Sequence, residues 1–301
     1  MAESAPAEAL PLDVAWLRAH PLPQPVSGAD KNARGRVMVL GGCLTVPGGV
    51  GLSAEAALRA GAGKVRVGTV APAAIALGAL LPEAAVLALP VSPEGEIDAP
   101  PEGIAEHLSR CDAVVVGPAM SSEPHASRLL GGLLAQADWT AGLVIDAAPL
   151  LGLSAHAEAL RARGAPAVLT PHVGEIAGML ECDAEVIERD RAAAARSAAE
   201  RFGAVVVLKG GSTLVAEPGG ALYGYTGGNV GLATGGSGDV LAGITGALLA
   251  RGCSPLEAAL WSVWLHGEAG RRCAETIGPL GFLARELLGF IPQVMRSGDQ
   301  E

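Results

Sequence analysis

A glycine-rich stretch of this chain reads Gly228-Asn229-Val230-Gly231-Leu232-Ala233-Thr234-Gly235-Gly236-Ser237-Gly238-Asp239, and it leads directly into the apolar residues 240–250. The apolar run predicts a buried helix, so the glycines lie at a helix start, where free backbone amides and the positive end of the helix converge. Such a turn binds phosphate, because glycine lets the backbone approach an anion without a β-carbon in the way. Asp239 then lies in the first turn, either as a carboxylate that stabilises the helix or as part of the chemistry beside the anion.

Seven short apolar runs precede this turn, with helical segments between several of them. Strands that alternate with helices predict parallel pairing with helical crossovers. The predicted strands are residues 37–40, 65–70, 84–89, 113–116, 143–145, 167–169 and 205–208. The sequence therefore predicts an α/β fold around a mainly parallel sheet.

Further elements are predicted beside these strands. Residues 213–216 and 221–225 flank Glu217-Pro218-Gly219-Gly220, which predicts a hairpin and an antiparallel edge. Helical periodicity extends over residues 255–274, where Trp261 and Trp264 are expected in the core. Two other predicted helices are residues 52–62 and 185–202.

Composition restricts the class of protein. Of the 301 residues, 50% are hydrophobic, 3% are aromatic and 42 are glycine, so the elements must pack through small and β-branched side chains. That composition favours a layered α/β enzyme over a disordered chain. The charges sum to 21 − 31 = −10, which argues against a nucleic acid or an anionic membrane as partner.

The cysteines, the N-terminal residues and the longest apolar run together predict the compartment of the protein. The five cysteines are scattered without a C-x-x-C pair, which indicates neither a disulfide framework nor a zinc site and fits a reducing compartment. Glu3 and Glu8 stand where a secretory signal would carry positive charge. The longest lipid-compatible run, residues 67–82, is too short and too interrupted to span a membrane. We expect a soluble, cytoplasmic protein.

The domain organisation predicted from the sequence is simple. Residues 1–34 contain five prolines and no sustained periodicity, which predicts an arm on the domain surface. No repeat, linker or change in composition follows, so residues 35–301 are predicted to form a single catalytic domain.

Two other glycine motifs lack the partners that their functions require. A G-x-G-x-x-A match begins at Gly49, but no acidic residue follows about 20 positions later to hold a ribose. The run Gly61-Ala62-Gly63-Lys64 resembles part of a P-loop, but Leu58 stands where the first glycine belongs and Val65 follows the lysine. Neither a nicotinamide dehydrogenase nor a P-loop is predicted.

Polar side chains follow three of the predicted strands, at the point where each strand ends. They are Asp146, then His172 with Glu175, then Lys209. Because parallel strands share one carboxyl edge, where ligands bind, we expect these residues to meet there. Lys209 opens the run Lys209-Gly210-Gly211-Ser212-Thr213, which would place an ammonium and hydroxyls near a nucleotide phosphate, or would simply be a turn. Taken alone, His172 and Glu175 are more typical of a helix-start pair.

Together these motifs resemble the ADP/ATP-dependent NAD(P)H-hydrate dehydratases, a branch of the ribokinase-like superfamily, from about residue 36 to residue 270. A glycine–aspartate turn alone indicates only the superfamily, whereas its combination with Thr170-Pro171-His172-Val173-Gly174-Glu175 is much more specific. The other shared motifs are Pro47-Gly48-Gly49, Ala56-Ala57-Leu58-Arg59-Ala60-Gly61-Ala62-Gly63, residues 112–118, Val144-Ile145-Asp146-Ala147 and Val207-Leu208-Lys209-Gly210.

The resemblance implies a fold, an activity and partners. The fold would be ribokinase-like, with a mainly parallel sheet between helices in three α/β/α layers. The activity would be removal of water from hydrated NADH or NADPH, through a phosphorylated hydroxyl that eliminates phosphate. ADP or ATP would donate the phosphate with Mg²⁺ present, and ADP is expected because the chain resembles stand-alone bacterial members. A homo-oligomer, a tetramer as in the family, and a separate epimerase enzyme are also implied.

The resemblance also assigns roles to residues. The nucleotide would contact Lys209, Gly210, Gly211, Ser212, Thr213 and Gly238. The hydrated cofactor would contact Gly49, Gly117, His172 and Asp239. Catalysis would use Asp239 as general base, with the backbone amides of Gly236, Ser237 and Gly238 stabilising the moving phosphoryl group. No residue is expected to form a dedicated metal cage, and the helix start is expected to lower the pKa of Asp239.

Two positions depart from the family pattern. Gly49 stands where the family commonly has alanine, and Gly117-Pro118-Ala119-Met120 lacks the second glycine of a Gly-Pro-Gly run. A β-carbon on Ala119 would restrict the approach of backbone to substrate. The alternatives are a ribokinase-like kinase of a small alcohol (a hydroxymethylpyrimidine, a thiazole or a sugar) and a catalytically silent nucleotide sensor.

Overall fold

The computed structural model describes residues 8–25, 28, 30–136 and 139–298. Within these ranges the chain forms ten strands and thirteen α-helices. The strands are β1 Leu10–Pro11, β2 Arg36–Leu40, β3 Lys64–Val70, β4 Ala84–Leu89, β5 Ala113–Val116, β6 Gly142–Ile145, β7 Ala167–Leu169, β8 Val205–Leu208, β9 Thr213–Ala216 and β10 Leu222–Tyr225. The helices are α1 Val14–Ala19, α2 Gly49–Arg59, α3 Ala71–Leu80, α4 Ile104–Leu108, α5 Glu123–Leu134, α6 Ala148–Leu151, α7 Ala157–Ala162, α8 Val173–Leu180, α9 Ala184–Arg189, α10 Arg191–Phe202, α11 Ser237–Ala250, α12 Pro255–Thr276 and α13 Ala284–Gly298.

The strands pair in one sheet, in the order β1-β10-β9-β8-β7-β6-β5-β2-β3-β4. Strands β2 to β8 run parallel to one another, whereas β9 is antiparallel to both of its neighbours. The carboxyl ends of the parallel strands therefore lie along one edge, and the loops that follow them meet there.

Helices cover both faces of the sheet. In β2, alternate side chains point to opposite faces, so Val37 and Val39 pack with α2, α11, α12 and α13, while Met38 and Leu40 pack with α5, α6, α8 and α10. The central strands are apolar on both faces for this reason. The predicted three-layer α/β/α architecture is confirmed.

The predicted strands and the hairpin are confirmed, but three other predictions differ from the structure. The helix predicted over residues 185–202 is two helices, because the Asp190 side chain accepts a hydrogen bond from the Ala193 amide at 2.9 Å and starts α10 there. β10 is not the sheet edge, because β1 pairs with it in parallel. The helix predicted over 52–62 begins three residues earlier, at Gly49.

The N-terminal segment packs against the domain over much of its described length. Leu12, Leu17 and Leu22 are buried in the same core cluster as α12. The indole of Trp261, which is 1% exposed, donates a hydrogen bond to the His20 carbonyl at 2.7 Å. Residues 1–7, 26, 27 and 29 of the predicted arm lie outside the described residues, and the division of the chain at residue 34 stays a prediction. None of the described helices combines the length and the hydrophobicity that a membrane crossing requires.

Candidate active site

The polar residues predicted at the strand ends do meet at one edge of the sheet. Asp146 follows β6 and Lys209 follows β8, and the Lys209 ammonium donates to Asp146 Oδ1 at 3.0 Å. A β-carbon placed on Gly238 in the glycine-rich turn would lie 3.4 Å from the same ammonium. The turn at the start of α11 therefore lies directly against this pair.

Asp239 is the third residue of α11, and its carboxylate points away from the helix axis toward the loop after β5. Oδ1 accepts a hydrogen bond from the Ala119 amide at 3.2 Å, and the Asp239 carbonyl accepts one from the Ser53 hydroxyl at 2.7 Å. These contacts come from two different elements, α2 and the β5 loop. The Ala119 amide fixes the carboxylate beside the glycine turn, and the Ser53 hydroxyl fixes the backbone of the same residue.

Asp239 is unusually basic for a carboxylate. Burial and the neighbouring Asp146 raise its pKa to about 7, against smaller opposite effects of the Ala119 amide and of Lys209. The expectation that the helix start would lower this pKa is wrong, because loss of hydration outweighs the helix end here. A carboxyl that exchanges its proton near neutral pH is suited to general-base catalysis.

Lys209 is held by carboxylates on two sides. Its ammonium lies 3.0 Å from Asp146 Oδ1 and 3.6 Å from Glu175 Oε2, and Asp146, which is 2% exposed, also accepts a hydrogen bond from Thr170 Oγ1 at 2.7 Å. Burial alone would lower the pKa of Lys209, but these carboxylates raise it, so the side chain stays charged. The ammonium thus balances the buried negative charge behind the glycine turn.

The glycine turn is built for close approach. Gly236 precedes α11 with φ +88°, a conformation that favours glycine. The Ser237 amide donates to the Thr234 carbonyl at 3.2 Å, a bond within the turn, and the stabilising role of the Gly236, Ser237 and Gly238 amides stays a prediction. The Ser237 hydroxyl is 2.9 Å from His266 Nε2, on α12.

Sequence reasoning missed His266, which lies within an otherwise apolar helix stripe. Burial lowers its pKa to about 4, so the imidazole is neutral at physiological pH. A neutral ring keeps one donor and one acceptor nitrogen, and the one that faces Ser237 orients the hydroxyl at the start of α11.

The loop after β8, the predicted nucleotide-binding run, rests on a buried arginine that sequence reasoning also missed. Arg191 is 8% exposed and donates from Nη2 to the carbonyls of Lys209 at 3.3 Å and Ser212 at 2.9 Å. A β-carbon on Gly210 would lie 2.2 Å from that nitrogen, so a side chain there would displace the guanidinium from the loop. Gly210 and Gly211 are exposed, Ser212 is buried, and Thr213 begins β9.

His172 and Glu175 form the helix-start pair that the sequence favoured. His172 Nδ1 accepts from the Glu175 amide at 3.2 Å, and Glu175 Oε2 accepts from the His172 amide at 2.7 Å. The His172 side chain is 60% exposed and remains accessible to a ligand. Glu175 joins this pair to Lys209.

Gly117 and Gly49 line the loops opposite the turn. Gly117 has φ +110°, and a β-carbon there would lie 1.9 Å from the Asp146 carbonyl oxygen, so the residue must be glycine. Ala119 keeps its amide on Asp239, and its β-carbon faces Gly49. The structure thus brings Gly49, Gly117 and Asp239 to one place.

Residues 37–293 match the sequence model of the NAD(P)H-hydrate dehydratase family. The chain belongs to this family. Its match covers every strand from β2 onward and all of the site described above, so the predicted resemblance is confirmed.

Members of the NAD(P)H-hydrate dehydratase family are similar over nearly the whole chain. An ADP-dependent (S)-NAD(P)H-hydrate dehydratase of Xanthomonas campestris is 44% identical over 282 residues, 93% of this chain and 94% of that protein. A bifunctional NAD(P)H-hydrate repair enzyme of Moorella thermoacetica is 36% identical over 96% of this chain. This chain spans about half of that relative, 54% of its length.

Solved structures agree on the fold. The ADP/ATP-dependent NAD(P)H-hydrate dehydratase of Bacillus subtilis, co-crystallised with ATP and Mg²⁺, has a TM-score of 0.80 at 24% identity and covers 97% of this chain and 100% of its own. A ribokinase of Thermotoga maritima has a TM-score of 0.57 at 16% identity, over 86% of this chain and 99% of its own. At these identities the likeness shows the fold alone, and it confirms the ribokinase-like class.

Proposed function

We propose that this protein removes water from hydrated NADH and NADPH at the expense of ADP, and so restores the nicotinamide cofactor. The observation that carries the proposal is Asp239, a carboxylate with a pKa of about 7 held between the glycine turn and the loop after β5. Family membership and the ADP-dependent Xanthomonas relative support the substrate and the phosphate donor.

The chemistry has two steps. Asp239 accepts the proton of the hydrate hydroxyl, whose oxygen attacks the terminal phosphorus of ADP; the bond to the bridging oxygen breaks and AMP leaves. Phosphate then leaves the ring with the C–O bonding electrons, water accepts a proton from the adjacent ring carbon, and the electrons of that C–H bond form the ring double bond. Phosphorylation makes this possible because phosphate is a much better leaving group than hydroxide. The amides of Gly236 and Gly238 stabilise the charge on the moving phosphoryl group.

Magnesium would bind at this edge largely through substrate phosphates and water, as Mg²⁺ typically does. The carboxylates of Asp146 and Glu175 lie near the glycine turn, but each has one oxygen paired with Lys209. The other oxygen of Asp146, Oδ2, lies 3.9 Å from the β-carbon position of Gly238 and would help to hold the ion. The ion when bound would neutralise charge on the phosphate oxygens.

The direct test incubates the purified protein with hydrated NADH, ADP and Mg²⁺ and follows the return of nicotinamide absorbance, with AMP and phosphate measured in parallel. Equal amounts of the three products support the proposal. Phosphorylation of a hydroxymethylpyrimidine, thiazole or sugar without dehydration would instead identify a small-alcohol kinase. Nucleotide binding without any turnover would identify a sensor.

We expect ADP to be preferred over ATP. The reason is the 44% identity to a relative named as ADP-dependent. Initial rates at matched concentrations of the two nucleotides decide the matter. A higher kcat/KM with ATP would contradict this expectation and leave the dehydratase assignment intact.

Replacement of Lys209 by alanine should weaken ADP binding more than hydrate binding. The change removes a charge-assisted contact, so the Kd for ADP should rise roughly ten- to hundredfold. It also leaves the buried Asp146 carboxylate without its counter-charge, which makes the site more repulsive to a polyphosphate. Titration calorimetry of both ligands measures the effect, and equal weakening of both would refute it. Lys64→Ala is the matched control, because Lys64 is an exposed lysine at the start of β3, at the opposite end of the strands from the site.

We also propose partners for the protein. A separate epimerase would interconvert the two epimers of the hydrate, which the half-length match to a bifunctional relative supports. We also propose a cytoplasmic location and a homo-oligomeric state, namely a tetramer. Size-exclusion chromatography with light scattering measures the oligomeric state.

A further inference from the structure

Gly49 and Ala119 face each other beside the Asp239 carboxylate. Gly49 is the first residue of α2, and Ala119 lies in the loop after β5. A β-carbon placed on Gly49 would lie 2.6 Å from the Ala119 β-carbon and 2.9 Å from Asp239 Oδ2. Non-bonded carbon atoms approach to about 3.5–4.0 Å. The space beside the carboxylate therefore holds one methyl group, not two.

Ala119 adopts a backbone conformation that would suit glycine better. The Met120 amide donates to the Gly117 carbonyl at 2.9 Å, which closes a tight turn with Pro118 second and Ala119 third. The third position has φ +57°, in the left-handed region where glycine is usual. The alanine methyl is thus present despite the strain of its backbone.

The same residue contacts the reacting carboxylate directly. The Ala119 amide donates to Asp239 Oδ1 at 3.2 Å. Its methyl group lies 2.6 Å from the point where a β-carbon on Gly49 would stand, and that same point is 2.9 Å from Oδ2. A side chain at position 49 would therefore press on Ala119 and on the carboxylate that the Ala119 amide holds.

We propose that Gly49 and Ala119 are a compensating pair that positions Asp239. The methyl group of Ala119 fills, from the turn after β5, the space that a side chain at position 49 would require, and its amide fixes the direction of the carboxylate. Ala119 is a positioning residue, since it acts through Asp239. The proposal rests on the proposed role of Asp239, and it requires that positions 49 and 119 change together.

The test compares the wild type with Gly49→Ala, Ala119→Gly and the double variant. Gly49→Ala should lower kcat at least about tenfold, because the new methyl displaces both Ala119 and the carboxylate. Ala119→Gly should lower kcat only a few-fold, roughly the effect of a loosened carboxylate. In the double variant the contact with the Ala119 methyl is gone and only the 2.9 Å approach to Asp239 Oδ2 is left, which a small rotation of the carboxylate relieves, so kcat should recover most of what Gly49→Ala alone loses. The Kd for ADP should stay unchanged in all four proteins.

Melting temperatures of the same four proteins make the test independent of turnover. Gly49→Ala should lower Tm and the double variant should restore it. Gly289→Ala, which adds a methyl in open space on α13, should leave kcat unchanged and Tm equal or higher. If the Tm shifts of Gly49→Ala and Ala119→Gly simply add in the double variant, the two methyl groups do not compete for one space, and the proposal is overturned. If the Tm shifts are coupled but the effects on kcat are additive, the pair shares a space but does not position Asp239. Failure of the wild type to dehydrate the hydrate would contradict the proposed function, while the Tm cycle would still decide the pair.

Discussion

Asp239→Asn is expected to give a folded protein that binds ADP and has lost most of its turnover. A carboxylate positioned for proton transfer typically contributes about 10² to 10⁴ in rate, and an amide cannot accept that proton. Asparagine has the same size, and its oxygen can still accept the Ala119 hydrogen bond. The loss should therefore fall on kcat, measured beside the Kd for ADP and Tm.

The stability of this variant separates a catalytic carboxylate from one that merely stabilises a helix. The folded-state pKa of Asp239 is raised to about 7 from an ordinary 3.8, so the folded protein is destabilised relative to the unfolded chain as pH rises between these values, and fully so above 7. Asparagine removes that cost, and Tm at pH 8 should be equal or higher. Asp13→Asn, at the start of α1, is the matched control and should change neither kcat nor Tm strongly. Near-normal kcat in Asp239→Asn would move the general base elsewhere.

Most of the sheet could be predicted from the sequence because its strands are short apolar runs separated by helices and turns. The errors have local physical causes. β1 is only two residues long and carries no periodicity, so no pattern in the sequence predicts its pairing with β10. Asp190 lies in an alanine-rich stretch that is helical on both sides, and only its side-chain hydrogen bond to Ala193 shows that a new helix begins there.

The candidate site was predictable where it follows strand ends and glycine turns, and not where it depends on distant packing. Asp146 and Lys209 are brought together by parallel pairing, which the pattern indicates. Arg191 is the first residue of α10 and His266 lies inside α12, and their contacts with the loop after β8 and with Ser237 leave no local pattern. The pKa of Asp239 moved opposite to expectation for the same reason, since burial is a property of the assembled loops.

The pH dependence of turnover should show the raised pKa of Asp239 directly. The base is active when deprotonated, so activity is lost as pH falls through about 7. With that pKa, kcat should rise about fiftyfold from pH 5 to pH 7 and only about twofold further to pH 8. A carboxylate with an ordinary pKa of 3.8 would give a flat profile over the same range.

Neither Lys209, which acts on Asp239, nor His266, which contacts Ser237, produces this profile. The pKa of Lys209 is raised, so the ammonium stays charged, and that of His266 is lowered to about 4, below the range measured. ADP itself loses a phosphate proton near pH 6, roughly one unit lower. The pH profile of the residual rate of Asp239→Asn separates the two titrations. In that variant the effect of the ADP phosphate proton persists, while the effect of the Asp239 carboxyl disappears. If wild type and variant show the same profile from pH 5 to pH 8 at saturating ADP, the titrating group is not Asp239, and its raised pKa has no part in the reaction.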